Sequence, residues 1–230
     1  AGNDVFRTYL KTESGWSTDT SAWHLPLPLR SYDNSIVNTS TARVKSDVIQ
    51  MGQFADVNGD GLVDIVYSYK LDRAPQQYGD PNNALSDIQE IKRTYINNGH
   101  GGTGWTLQTA WQPVDLLYDY LSNGAGYERV ETVRGRLIDL DGDGLPEWVR
   151  AYNDYNSSTS TFNHMKTWRN TGSGWVVDAG YKMPDVFAHY RGVYSIPHGQ
   201  FVDVNGDGLV DWVQAYHAST ETAKQKTWLN

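Results

Sequence analysis

An all-β fold, a β-propeller or a propeller-like array of four-stranded blades with calcium loops between strands, is predicted by three features of this 230-residue chain. A 13-residue segment rich in Asp, Asn and Gly occurs three times in register. Each copy runs into residues that alternate in character with period two, the pattern of a strand. The chain is also rich in Trp, Tyr and Gly (9, 15 and 22 residues), which favour strands and the tight turns between them.

The three segments are Gly52-Gln-Phe-Ala-Asp-Val-Asn-Gly-Asp-Gly-Leu-Val-Asp64, Gly135-Arg-Leu-Ile-Asp-Leu-Asp-Gly-Asp-Gly-Leu-Pro-Glu147 and Gly199-Gln-Phe-Val-Asp-Val-Asn-Gly-Asp-Gly-Leu-Val-Asp211. A second element follows each: Ile65-Val-Tyr-Ser-Tyr69, Trp148-Val-Arg-Ala-Tyr152 and Trp212-Val-Gln-Ala-Tyr216. One face of it carries Val and then a small residue, which predicts close approach of a neighbouring sheet. A third element is Thr94-Tyr-Ile-Asn97, Thr167-Trp-Arg-Asn170 and Thr227-Trp-Leu-Asn230, and a fourth opens with Gly104-Trp105 and Gly174-Trp175. The chain starts with the same pair, Thr8-Tyr-Leu-Lys11 and Gly15-Trp16. Each full unit therefore reads as four short strands. One repeat domain spans residues 1–230, with a partial unit over 1–30 and units over about 43–112, 130–182 and 195–230. Residues 70–87, with Pro75, Gly79 and Pro81 as breakers, read as a surface insertion in the first unit.

Charge is concentrated in the loops. Of 27 acidic residues, ten lie in the three loops, which leaves 17 against 19 basic residues elsewhere. That placement suits cations, and no basic stripe exists to neutralise phosphates, so nucleic acid is not an expected partner. No apolar run approaches the roughly 20 residues needed to span a bilayer as a helix. No basic, apolar leader opens the chain, so any secretion signal is expected to have been removed. The absence of Cys excludes disulfides and thiolate metal sites.

In the first loop a hard cation such as Ca²⁺ finds oxygens from Asp56, Asn58 and Asp60 at positions 1, 3 and 5. Gly61 permits the sharp turn, the Leu62 carbonyl faces inward at position 7, and Asp64 at position 9 closes the cage. The outward Val57 and the apolar Leu62 and Val63 are expected to anchor the loop to the sheet. The second loop offers Asp139, Asp141, Asp143, Leu145 and Glu147; the third offers Asp203, Asn205, Asp207, Leu209 and Asp211. A helical calcium hand would carry an acidic residue at position 12, but Tyr67, Arg150 and Gln214 stand there and the chain continues as strand.

Asp-x-Asn/Asp-Gly-Asp-Gly-x-x-Asp/Glu between strands resembles the FG-GAP (VCBS, integrin-α-type) repeat of calcium-binding β-propellers. The run from Lys166 to Trp175 is similar to repeats of bacterial SpvB/TcB-type toxin subunits. The resemblance covers nearly the whole chain. It implies a propeller, with three Ca²⁺ held by the ligand sets named above.

Other chemistry finds little support. The six His residues (24, 100, 164, 189, 198, 217) show no helical zinc spacing, and no nucleophile elbow, phosphate loop or dinucleotide fingerprint is present. Trp105, Trp148, Trp175 and Trp212 recur at repeat positions and read as packing between blades, whereas Trp23 and Tyr78 are freer to contact a ligand. Asn38 and Asn156 are glycosylation acceptors by pattern. The expected function is a non-enzymatic, extracellular or surface-displayed calcium-binding scaffold that self-assembles or recognises a partner. Alternatives are a glycan- or protein-binding adhesin or lectin, and a shell fragment of a toxin-like complex. The third element occurs four times, against three loops and three Gly-Trp strands. Head-to-tail association, with the strands of residues 1–16 completing the last sheet of another copy, is therefore expected, closure into one ring being the alternative.

Overall fold

The structure is a computed structural model that describes residues 8–19, 23–33, 47–73, 87–99, 104–122, 129–156, 160–191, 194–216 and 224–230. Among them there is no helix. The chain opens with a hairpin of β1 (Thr8–Thr12) and β2 (Gly15–Asp19), followed by a second of β3 (Arg30–Asp33) and β4 (Asp47–Gln50). The first full unit is an antiparallel meander of β5 (Gly52–Ala55), β6 (Asp64–Arg73), β7 (Asp87–Asn97) and β8 (Trp105–Gln108). The hairpin β9 (Tyr118–Ser122) and β10 (Arg129–Val133) leads to the second unit. That unit comprises β11 (Gly135–Ile138), β12 (Glu147–Asn156), β13 (Ser160–Asn170) and β14 (Trp175–Asp178). A further hairpin, β15 (Ala188–Arg191) and β16 (Tyr194–Pro197), precedes β17 (Gly199–Val202), β18 (Asp211–Tyr216) and β19 (Lys224–Trp228), the third unit.

The four-element repeat is thus a four-stranded meander in the first two units. Its middle strands are not short: β6 and β12 have 10 residues, β7 and β13 have 11. Residues 70–73 and 87, expected in a surface insertion, are strand, because β6 and β7 pair out to Arg73↔Asp87. The outer half of β6 then takes β9 as a parallel neighbour (Tyr69↔Tyr118), and β12 takes β15 in the same way (Tyr152↔Ala188). These inter-unit hairpins have no signal in the repeat motifs. Among the described residues the sheets close into neither a barrel nor a ring.

The core lies between successive units. Alternation in β12 sends Trp148 to one face and Val149 and Ala151 to the other, all 0% exposed. Trp148, with Leu137 and Trp168, packs on Val57 and Val66 of the first unit; Val149 and Ala151 pack with Leu140 against Trp212 of the third. The small face therefore does admit a neighbouring sheet. Inner strands also touch: Gln53 on β5 donates its side-chain amide to Leu137 O (3.0 Å) and accepts from Leu137 N (3.3 Å) on β11.

Trp148 and Trp212 pack between units as expected, Trp148 with Val57 and Val66 and Trp212 with Val149 and Ala151, while Trp148 also meets Trp175 of its own unit edge-on at 5.5 Å. Trp23 corrects the reading that left it free for a ligand. It meets Trp105 edge-on at 6.2 Å, and its carbonyl accepts from Thr8 Oγ1 as the Trp111 carbonyl accepts from Thr94 Oγ1, each at 2.6 Å. Trp23 and Trp111 stand six residues before Leu29 and Leu117, so both are repeat positions. Tyr78, Asn38, His100 and His217 lie outside the described residues. Asn156 ends β12, while Ser157 and Ser158 lie outside as well.

Candidate metal centre

All three loops fold on one plan, dictated by short polar side chains that bond the backbone just ahead of them. The position-1 carboxylate accepts two amides, Asp56 from Gly59 N and Gly61 N at 2.8 Å each. Asp139 accepts from Gly142 N and Gly144 N, and Asp203 from Gly206 N and Gly208 N. The position-3 side chain accepts the amide of position 5, and position 5 accepts that of position 7, as in Asn58←Asp60 N (3.1 Å) and Asp60←Leu62 N (2.8 Å). The same bonds recur at Asp141, Asp143, Asn205 and Asp207. Gly61, Gly144 and Gly208 hold φ of 83°, 89° and 89°, the left-handed turn that position 6 requires.

The position-9 carboxylate sits beneath the loop. Asp64 and Asp211 are 0% exposed, and Glu147 is 1% exposed. Each accepts the position-2 amide: Asp64 from Val57 N, Glu147 from Leu140 N and Asp211 from Val204 N. Asp64 and Asp211 also accept the amide of the asparagine at or just past the end of the third strand, Asn97 N at 2.8 Å and Asn230 N at 2.9 Å. These side chains therefore bind loop to sheet, a role the spacing argument missed; the repeated Thr-x-x-Asn was its signal. At Glu147 the equivalent Asn170 amide is close enough to favour the ionised carboxyl, but Oε1 makes no hydrogen bond of ordinary geometry. Burial pushes Asp64 up to about 6 and Glu147 up to about 7, against the pull of the amides that bond them. Asp203 is held below the usual carboxylate range by the amides of Gly206 and Gly208.

Convergence is clearest in the second loop. Asp139, Asp141 and Glu147 bring one carboxylate oxygen each within 4.8 Å of one another. Arg169 is the cation beside this loop, its Nη2 lying 3.2 Å from Asp141 Oδ2 and 3.9 Å from Asp143 Oδ2. Ile96 and Leu229 occupy the corresponding place in the other units, where Asn58 and Asn205 replace the charge of Asp141. An all-oxygen set of converging carboxylates fits a hard divalent cation, and each carboxylate oxygen that accepts one amide keeps a second lone pair.

Of the three apolar residues expected to anchor the first loop, Val57 is buried as an anchor, at 0% exposed, in a cluster that includes Val66 of its own sheet and Trp148 of the second unit. Val63 is 51% exposed and does not anchor the loop, and Leu62, 37% exposed, lies beside Gly99 in the turn after β7. In the other two loops the position-7 leucine reaches the loop of the preceding unit: Leu145 packs on Gly59 and Leu209 on Gly142. Among the described residues no such loop precedes Leu62. No family model, curated protein or solved structure matches this chain.

Proposed function

We propose that this chain is a non-enzymatic, extracellular calcium-binding scaffold of the FG-GAP type, in which three loops each hold one Ca²⁺ beside the contact between successive blades. The observation that carries the reading is the second loop, where one carboxylate oxygen each of Asp139, Asp141 and Glu147 lies within 4.8 Å of the others. Asp56, Asn58, Asp60 and Asp64 supply the first site with the Leu62 carbonyl; Asp203, Asn205, Asp207 and Asp211 supply the third with that of Leu209. Leu145 and Asp143 complete the second. Calcium there neutralises carboxylates that otherwise repel one another, and so stiffens the loops on which the next unit rests. Sites of this kind suit extracellular calcium, at dissociation constants of roughly 10⁻⁴–10⁻³ M.

The propeller reading is supported by the inner strands. Residues of β5, β11 and β17 line one cleft of about 800 Å³, as blades would if they fanned round an axis. Such a scaffold presents its inter-strand loops for recognition of a glycan or protein. Calorimetric titration of metal-stripped protein with Ca²⁺ tests the proposal. Three sites are expected, and absence of heat at millimolar calcium together with an unchanged melting temperature overturns it.

A further inference from the structure

We infer that the three loops are coupled in series, each binding its cation more tightly when the loop beside it is filled, through an asparagine that joins the position-9 carboxylate of one loop to the backbone of the loop before it. The inference rests on the calcium reading above and concerns how the sites act on one another.

One run of polar contacts passes through all three loops. From the third, Asp211 Oδ1 accepts Asn230 N at 2.9 Å, Asn230 Nδ2 donates to Leu140 O, and Leu140 N donates to Glu147 Oε2 at 2.8 Å. From the second, the Asn170 amide lies close to Glu147, Asn170 Nδ2 donates to Val57 O at 2.8 Å, and Val57 N donates to Asp64 Oδ2 at 2.9 Å. The position-2 residue is the hinge of each step: its N–H is held by the carboxylate of its own loop and its C=O by the asparagine of the next unit. Asp64, Glu147 and Asp211, one member of each ligand set, are all buried, and so is Asn170. Solvent therefore does little to loosen the route. A packing contact runs beside it. Leu145 and Leu209, whose carbonyls belong to the second and third ligand sets, close on the preceding loop, where a Cβ on Gly59 or Gly142 would meet their Cδ2 atoms at 2.9 Å.

The sign of the coupling follows from ordering. Carboxylates gathered without a cation repel one another, so an empty loop is the looser one. Filling the second loop fixes Glu147 and Leu145, which holds Asn170 against Val57 and Leu145 against Gly59. The first loop then has less freedom to lose and binds more tightly, and linkage makes the effect mutual. Repulsion between two bound cations acts in the opposite sense, so tighter binding identifies the contact route. The third loop reaches the first along this run only by way of Glu147. Each loop keeps its own full ligand set, so coupling alters affinity and not the number of sites.

Calorimetric titration with Ca²⁺ of the full, metal-stripped chain tests this through Asp60→Ala, Asp143→Ala and Asp207→Ala, which remove one ligand from the first, second and third loop. Single variants keep two loops and double variants keep one. The product of the two binding constants in a two-loop chain, divided by the product for the matching one-loop chains, is the coupling factor. A factor of about five or more is expected for each neighbouring pair, and about one for the first and third loops. Asn170→Ala removes no ligand, yet should bring the factor of the first pair to about one while both loops still fill. Asn97→Ala, which alters bonds within the first unit alone, should leave that factor unchanged, as general loosening would not. If circular dichroism shows that Asn170→Ala disturbs folding, Leu145→Ala, which keeps its carbonyl, should lower the factor in its place. Neighbouring pairs with factors of one or less overturn the inference, as does a factor that survives Asn170→Ala in a folded chain. Three sites that fill with factors of one sink only the coupling; no uptake of Ca²⁺ by any chain sinks the calcium reading and the coupling with it.

Discussion

The side-chain amide of Asn170 donates to the backbone carbonyl of Val57, 113 residues earlier, at 2.8 Å in a fully buried setting. Its counterpart Asn97 makes the equivalent local bond, Oδ1 accepting from Gly99 N as Asn170 Oδ1 accepts from Gly172 N, but its amide spends itself on the exposed Val63 carbonyl. The two asparagines therefore form a matched pair that differs in the link between units. Asn170→Ala leaves a buried carbonyl unsatisfied and is expected to cost about 1–3 kcal/mol. Asn97→Ala loses an exposed bond that water replaces, at a cost of about 0.5 kcal/mol. Urea denaturation of both variants checks the difference; equal destabilisation would show that the inter-unit bond contributes nothing.

Calcium is expected to raise the melting temperature. With free metal at ten times the dissociation constant, each site adds about 1.4 kcal/mol by mass action. Asp60→Ala and Asp207→Ala each remove a position-5 ligand from an exposed part of a loop, without opening the core. Titration calorimetry should then count two sites in each variant. Loss of all three from one substitution would contradict independent loops.

Arg169 is expected to compete with metal for the second loop, because its guanidinium lies 3.2 Å from Asp141. The side chain is half exposed, so solvent weakens the pair. Arg169→Leu, which copies Leu229 of the third unit, should strengthen calcium binding at the second loop by about 0.5–1 kcal/mol, roughly two- to fivefold. Competition with a calcium-sensitive dye reads the change; unaltered affinity would show that Arg169 yields its place at no cost.

Acidity should stabilise the metal-free protein. Asp64 titrates at about 6 and Glu147 at about 7, above their ordinary 3.8 and 4.5, so over that span the folded state keeps protons the unfolded state has released. Their contribution to stability therefore falls as pH rises from about 4 to about 7, and is level above that. Asp203, held below its ordinary range, acts oppositely and withdraws support only under more acid conditions. Chemical denaturation of Glu147→Gln with metal absent should lose the upper part of the slope. Persistence of the full slope in that variant would assign it elsewhere. Calcium requires the ionised carboxylate, so its binding at the second loop should weaken below about pH 7.

Local order was legible in the residues themselves. Period-two alternation placed the cores of β6, β12 and β18, and the Gly-Trp pairs opened β8 and β14 where they were expected, because strand pairing and turn chemistry act over a few residues. The sharp turn at Gly61 followed from its position for the same reason, whereas the bonds from the loop side chains to loop amides did not enter the sequence reading. Burial did not follow. Residues 56–64 and 203–211 are identical, yet Val57 is 0% exposed and Val204 51%. The difference is the next unit, which covers the first loop and is absent over the third among the described residues. The long middle strands, the hairpins between units and the span of Asn170 to Val57 have the same origin. What a segment is follows from its own residues, through backbone preference and hydrogen bonds within reach. What covers it is set by stacking against the next unit, up to 113 positions away, because burial depends on the surface that arrives and no pattern within the loop encodes that arrival.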